Sequence, residues 1–292
     1  ARHADSRGCR NGGDLLRVAT TELDLRSAST LNEALGILRD EPRRPVAGAT
    51  DVYVALNFGT TTDRRFLDIW SLDELRGISV KDDKLVVGAL TTYTDLLRSS
   101  EVQKRLPMLV EASQLVGGAQ IQNRGTIGGN VANASPAGDS IPVLFVAEAV
   151  IVIRSATAER RVPITQFYTG YRKTILQPDE LIVAVEIPPV EGKQVFRKVG
   201  TRAAQAISKV AFAGVRGPAG PRLSYGSVGP TVVRVPLTEK ALASGANIDD
   251  AVKVLSSEIK PIDDVRSTGD YRLRVATNLL RWFWKETASA AR

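Results

Sequence analysis

Residues 124–139 read Arg124-Gly-Thr-Ile-Gly-Gly-Asn-Val-Ala-Asn-Ala-Ser-Pro-Ala-Gly-Asp139, which places four glycines, two asparagines, two hydroxyls, a proline and an aspartate in sixteen positions. That composition predicts a binding loop rather than a regular helix or strand. Glycine lets the backbone approach a ligand with no Cβ between them, and the short polar side chains add hydrogen-bonding groups. Successive exposed amides of this kind form an anion-binding concavity. The run leads into Ser140-Ile-Pro-Val-Leu-Phe-Val-Ala147, which has the look of a helix.

Upstream, Thr30 stands as an N-cap with Glu33 three places on, and Leu31, Ala34, Leu35 and Leu38 follow at helical spacing. Pro45-Val-Ala-Gly-Ala-Thr-Asp51 then gives a short apolar entry, a small-residue turn, and Thr50 or Asp51 to cap a second helix. Strand, tight turn and helix start can aim backbone N–H groups at a phosphate. Taken alone, the same pattern is equally an ordinary strand-to-helix connection. Arg65–Trp70 reads as the next strand, and residues 76–80 and 84–90 as a hairpin about Asp82-Asp83. A helical run from Thr92 or Thr94 through Leu106 is expected, restarted by Pro107 and stopped by Gly117-Gly118.

Downstream, Ala149–Ile153 is a β-branched run suited to a buried strand, and Glu180–Ile187, closed by Pro188-Pro189, is another. From Val195 the pattern changes to three antiparallel strands and then three helices, residues 238–244, 249–257 and 270–285. Strands first and helices after them predict an α+β domain with a sheet backed by helices. The expected division is a polar leader at 1–24, a cofactor domain at 25–187 and a C-terminal α+β domain at 188–292.

The 292 residues are 43% apolar and carry a net charge of +7. No run approaches a membrane span, and the first residues lack the apolar core of a secretory signal, so a cytoplasmic globular protein is expected. Cys9 is the single cysteine and His3 the single histidine, both in the leader. An internal disulfide, an iron–sulfur cluster held by this chain alone, a His-based zinc site and a Ser-His-Asp mechanism therefore lack their residues. Any enzymology must come from a bound cofactor, from carboxylates and lysines, or from a partner subunit. The basic residues are spread without aromatic interleaving, so an anionic ligand or acidic partner is expected rather than nucleic acid.

Four motifs together resemble one family: Pro45–Asp51; Thr126–Asp139; Gly170-Tyr-Arg-Lys-Thr174 with Pro178-Asp-Glu-Leu-Ile182; and Pro261-Ile-Asp-Asp-Val-Arg266 followed by Tyr271-Arg272. They are similar to the FAD-binding medium subunit of molybdenum hydroxylases of the xanthine dehydrogenase and carbon monoxide dehydrogenase type, in order and from about Leu25 to Trp284. The resemblance implies the FAD fold of vanillyl-alcohol oxidase, in which two α+β subdomains hold FAD between them, followed by the C-terminal α+β domain. It implies that Val46, Ala47, Gly48, Ala49, Thr50 and Asp51 form one loop on the pyrophosphate. Gly125, Thr126, Gly128, Gly129, Asn130 and Ser135 would belong to the other loop. Asp139 would lie near the sugar portion, with Ile182 and Lys198 beside the isoalloxazine ring. The chain departs from the family at Ala49, where many members have glycine, and in lacking the cysteines with which some relatives bind an added cluster.

The function so implied is an electron-transfer module. A molybdenum-containing large subunit would oxidise a substrate, an iron–sulfur small subunit would relay single electrons from its 2Fe–2S clusters, and this FAD would pass pairs to NAD or another acceptor. Molybdopterin and the clusters would reside only in those partners, and the assembly would be a dimer of heterotrimers. Two other readings compete: a stand-alone FAD-dependent oxidase or reductase, and a flavin-free scaffold subunit. The first lacks a histidine or cysteine in the site, and the second leaves the Gly128-Gly129-Asn130 and Gly48 positions without a purpose.

Overall fold

The computed structural model describes residues 22–288. His3, Cys9 and the rest of the expected leader up to residue 21 lie outside the described residues.

The first unit is small. Strand β1 (Asp24–Ser27), helix α1 (Leu31–Asp40), β2 (Arg44–Val46), α2 (Val52–Asn57) and β3 (Arg65–Asp68) form a three-stranded parallel sheet in the order β1-β3-β2. Helix α1 starts where the sequence places it. Thr30 Oγ1 accepts the Glu33 N–H at 3.1 Å, and the Glu33 carboxylate accepts the Ser29 N–H at 2.7 Å. Its buried stripe, Leu31, Ala34, Leu35 and Leu38, packs on Leu67, Ile69, Leu72, Leu75 and Leu90. Leu35 and Leu38 are almost wholly buried, and each contributes roughly 1.5–3 kcal/mol by leaving water. Helix α2 buries none of its residues, and Asp51 at its N-cap makes no side-chain capping bond.

The second unit contains β4 (Ile78–Lys81), β5 (Lys84–Gly88), six helices, and then β6 (Val150–Arg154), β7 (Glu159–Pro163), the short pair β8 (Tyr168–Gly170) and β9 (Lys173–Thr174), and β10 (Leu181–Ile187). Its five-stranded antiparallel sheet has the order β4-β5-β10-β6-β7. Asp82 and Asp83 both adopt positive φ, +48° and +60°, the backbone signature of a two-residue type I′ hairpin. The helices are α3 (Tyr93–Arg98), α4 (Ser100–Arg105), α5 (Pro107–Gln114), α6 (Ala119–Gln122), α7 (Ile127–Asn133) and α8 (Ser140–Val146). Two of them correct the sequence reading. The run expected to continue to Leu106 divides at Ser99, whose extended backbone ends α3 and whose hydroxyl caps α4 by accepting the Val102 N–H. The glycine-rich run expected as a loop contains helix α7, capped by Thr126 and ended by Ala134 in the left-handed conformation.

The third unit follows Pro188-Pro189. Strands β11 (Lys193–Val199), β12 (Val210–Gly217), β13 (Gly220–Gly226) and β14 (Val233–Arg234) form an antiparallel sheet in chain order. Helices α9 (Pro236–Ala243), α10 (Ile248–Glu258) and α11 (Gly269–Ala288) then back the sheet, with Phe283 against Phe212 and Phe212 against Tyr225. The sheet's other face is not separate from the second unit. Phe196, Ala211, Ala213, Val215 and Val232 share one continuous core with Leu109, Val143 and Ile187. That shared core fixes helices α5 and α8, and hence the run between them, against the third unit.

Among the described residues no helix is long and apolar enough to cross a membrane, and no cluster of three His, Cys, Asp or Glu side chains could hold a metal ion.

Candidate functional site

A cleft of about 370 Å³ lies where the first and second units meet. One wall is the turn after β2, Ala47, Gly48, Ala49, Thr50 and Asp51. Another is the start of α7 with Gly125, Thr126, Gly128, Gly129 and Asn130, and the third is the stretch from Leu176 to Ile182. The two small-residue runs, about eighty positions apart in sequence, touch directly. A Cβ built on Gly48 would overlap the carbonyl oxygen of Arg124, closer than any real side-chain contact, so only glycine permits the junction. The Arg124 guanidinium lies 3.8 Å from the ring centre of Trp70, which Arg76 also overlies at 4.4 Å, so cation–π contacts hold this junction from the side.

The two runs offer different groups to a ligand. In the first, the N–H groups of Gly48, Ala49, Thr50 and Asp51 have no acceptor among the described residues. Ala49 has φ +63°, a left-handed conformation that costs an L-residue roughly 1–2 kcal/mol and turns successive amides to one side. In the second, the amides are already bonded. Ile127 N–H donates to Thr91 O, Gly128 N–H to Ala89 O, and Gly129 N–H to Thr126 Oγ1 at 3.1 Å. Its glycines serve packing. A Cβ on Gly128 would come within 2.7 Å of Ala89 O, and one on Gly129 within 2.8 Å of Thr126 Oγ1. What this run can present to the cleft is therefore the Thr126 hydroxyl and amide and the Asn130 and Asn133 side chains.

The remaining residues singled out from the sequence divide clearly. Ile182 lines the cleft from β10, beside an irregularity in the pairing with β6 between Ile182 and Ala184. Val46 ends β2 just before the turn, and Ser135 Oγ accepts the Ala137 N–H in the turn after α7; neither lines the cleft. Asp139 and Lys198 do not line the cleft either, and are partners of each other. Lys198 Nζ donates to Asp139 Oδ2 at 2.6 Å and to Leu115 O at 2.9 Å. Burial pushes the Asp139 carboxyl up to about 6, opposed by the attraction of Lys198, and its Oδ1 has no hydrogen-bond partner.

Other residues of the cleft were not singled out as site residues from the sequence, although Pro178, Glu180 and Leu181 stand within one of the four family motifs. Tyr93, Val116 and Ile121 come from elements that read as ordinary core, and Leu176, Gln177, Pro178, Glu180 and Leu181 supply the facing wall. Glu180 accepts two bonds from Arg160, at 2.7 Å each, which hold its carboxyl below the usual carboxylate range. Among the described residues no histidine or lysine lines the cleft, which offers unbonded turn amides to an anion and apolar side chains to a ring.

Comparison with known proteins decides the family. The FAD binding domain in molybdopterin dehydrogenase matches residues 21–190, and the CO dehydrogenase flavoprotein C-terminal domain matches residues 195–287. The chain belongs to the FAD-binding medium subunits of the xanthine and CO dehydrogenase family. Within that family it is 32% identical over 278 residues to the xanthine dehydrogenase FAD-binding subunit of Escherichia coli O157:H7, covering 90% of this chain and 95% of that one. It is 34% identical over 271 residues to the glyceraldehyde dehydrogenase medium chain of Sulfolobus acidocaldarius, covering 89% and 96%. Among solved structures, reconstituted CO dehydrogenase from Oligotropha carboxidovorans superposes with a TM-score of 0.86 at 25% identity, covering 92% of this chain and 98% of that one. The chain is thus the flavoprotein subunit of an FAD-dependent oxidoreductase of the molybdenum hydroxylase type, and its FAD-binding domain contains the cleft.

Proposed function

We propose that this chain holds FAD in the cleft and serves as the outlet for electrons in a multi-subunit molybdenum hydroxylase. Partner 2Fe–2S clusters would deliver electrons singly, and NAD or another acceptor would remove them in pairs. FAD, when bound, supplies that exchange between one-electron and two-electron carriers. The chain's own residues bind and orient. The amides of Gly48 to Asp51, the Thr126 hydroxyl and Asn130 would hold the diphosphate, and Ile182, Leu181, Val116 and Ile121 would shield the ring from water. Asp139 and Lys198 would act from outside the cleft lining, their charges balanced by each other rather than presented singly to the ring.

The single observation that carries this reading is the junction at Gly48. Two runs with small side chains meet in one cleft, and the unbonded amides beside the junction are what a diphosphate requires. Protein expressed with its neighbouring subunits should show flavin absorbance and contain iron and molybdenum. A colourless assembly that takes up no added FAD would end the proposal. The large molybdenum subunit, the small iron–sulfur subunit, a dimer of heterotrimers and a cytoplasmic setting are parts of the same proposal, and co-purification with mass measurement tests them together.

A further inference from the structure

With the amides of Ile127 to Gly129 already bonded, recognition by the second run depends on side chains, and one of these is held by buried hydroxyls. Ser140 Oγ donates to Asn130 Oδ1 at 2.9 Å, and Tyr93 Oη lies 3.1 Å from Ser140 Oγ. Tyr93 is 1% exposed and Ser140 is fully buried, so water cannot replace either bond. The proton directions follow from counting. Ser140 is the only partner of the Tyr93 hydroxyl among the described residues. If Ser140 donated to Tyr93, the phenol proton would be buried with no acceptor, a loss comparable to a missing hydrogen bond. If Tyr93 donates to Ser140, the Ser140 proton is left for Asn130, and the atom that accepts it must be the amide oxygen. Burial raises the Tyr93 pKa, which keeps the phenol a donor. The amide nitrogen of Asn130 then has no acceptor among the described residues, on a side chain that lines the cleft.

We propose that Tyr93 and Ser140 are positioning residues: they lock the Asn130 amide so that its NH2 group is a fixed donor to the phosphate-bearing part of the cofactor. This rests on the FAD reading and adds to it a reason for the buried hydroxyls of Tyr93 and Ser140. Tyr93→Phe keeps the ring that packs against Gly125 and removes only the hydroxyl whose proton sets the direction.

The test uses the full chain, purified with the subunits that accompany it, stripped of flavin and titrated by flavin fluorescence. Tyr93→Phe and Ser140→Ala should each weaken FAD about tenfold, the effect of losing one oriented hydrogen bond. Riboflavin, which has no phosphate, should bind all forms alike. In an Asn130→Ala background, Tyr93→Phe should have no further effect. Unchanged FAD affinity in Tyr93→Phe, equal weakening of FAD and riboflavin, or an undiminished effect in the Asn130→Ala background would each overturn the relay. Failure of the wild-type chain to bind FAD would instead strike the cofactor reading. Should Ser140→Ala fail to fold, the Tyr93→Phe and Asn130→Ala pair still decides.

Discussion

The turn after β2 and the run around α7 are spelled alike in small residues, yet they meet the cleft in opposite ways. The first leaves its amides unbonded, with left-handed Ala49 inside the turn, whereas the left-handed residue of the second, Ala134, only ends its helix. The second bonds its amides inward, and its glycines let Ala89 and Thr126 come close. Glycine therefore marks close approach of the chain to itself in both places, Gly48 to Arg124 and Gly128 to Ala89, but only the first run keeps unbonded amides beside that contact.

The largest effect should come at their junction. Gly48→Ala would drive a methyl into the Arg124 carbonyl, where no rotamer relieves the clash; a loss of about 3 kcal/mol in urea unfolding and of bound flavin is expected. Normal stability with full flavin would break the comparison at its centre. The next effect belongs to the second run alone, which ends on the buried carboxylate of Asp139. Because burial raises Asp139 to about 6, between its ordinary range and that value the folded chain keeps a proton that the unfolded chain has released. Its contribution to stability is present at lower pH and falls as pH rises through that window, by on the order of 2 kcal/mol. Denaturant midpoints from pH 4 to 7 should show that fall, and Asp139→Asn should flatten it.

Thr126→Val removes the N-cap of α7 and should cost about 1 kcal/mol, read as a lower melting temperature. No change would mean that packing alone holds that helix. The smallest effect has the opposite sign. Ala49→Gly relieves the left-handed strain and should add about 0.5–1 kcal/mol, part of the gain being offset by the freer unfolded chain. A destabilised Ala49→Gly would show that the first turn is not strained where its dihedral says it is.

Much of this architecture was legible because local chemistry and tertiary structure agree. Thr30 and Glu33, Pro107, the Asp82-Asp83 turn and the β-branched run before Arg154 each act within a few residues of themselves. Helix α7 was not, since two adjacent glycines disfavour a helix by about 1 kcal/mol each and the compensating contacts come from Ala89 and Thr91, far off in sequence. The same holds at the site. The glycine turns could be picked out and matched to a family, but the partnership of Asp139 with Lys198 and of Tyr93 with Ser140 and Asn130 spans 59 and 47 positions. A buried tyrosine and serine look like core until their partners are known.

The continuous core beneath α5 and α8 sets an order on biosynthesis. Leu109 and Val143 leave the ribosome well before Phe196, Ala211, Ala213 and Val232, the residues that cover them. The nascent chain must therefore carry an uncovered greasy surface for the time it takes to make some ninety more residues. A truncation after Pro189 would keep that surface permanently bare and should be recovered in aggregates or bound to chaperones rather than as a free flavin domain.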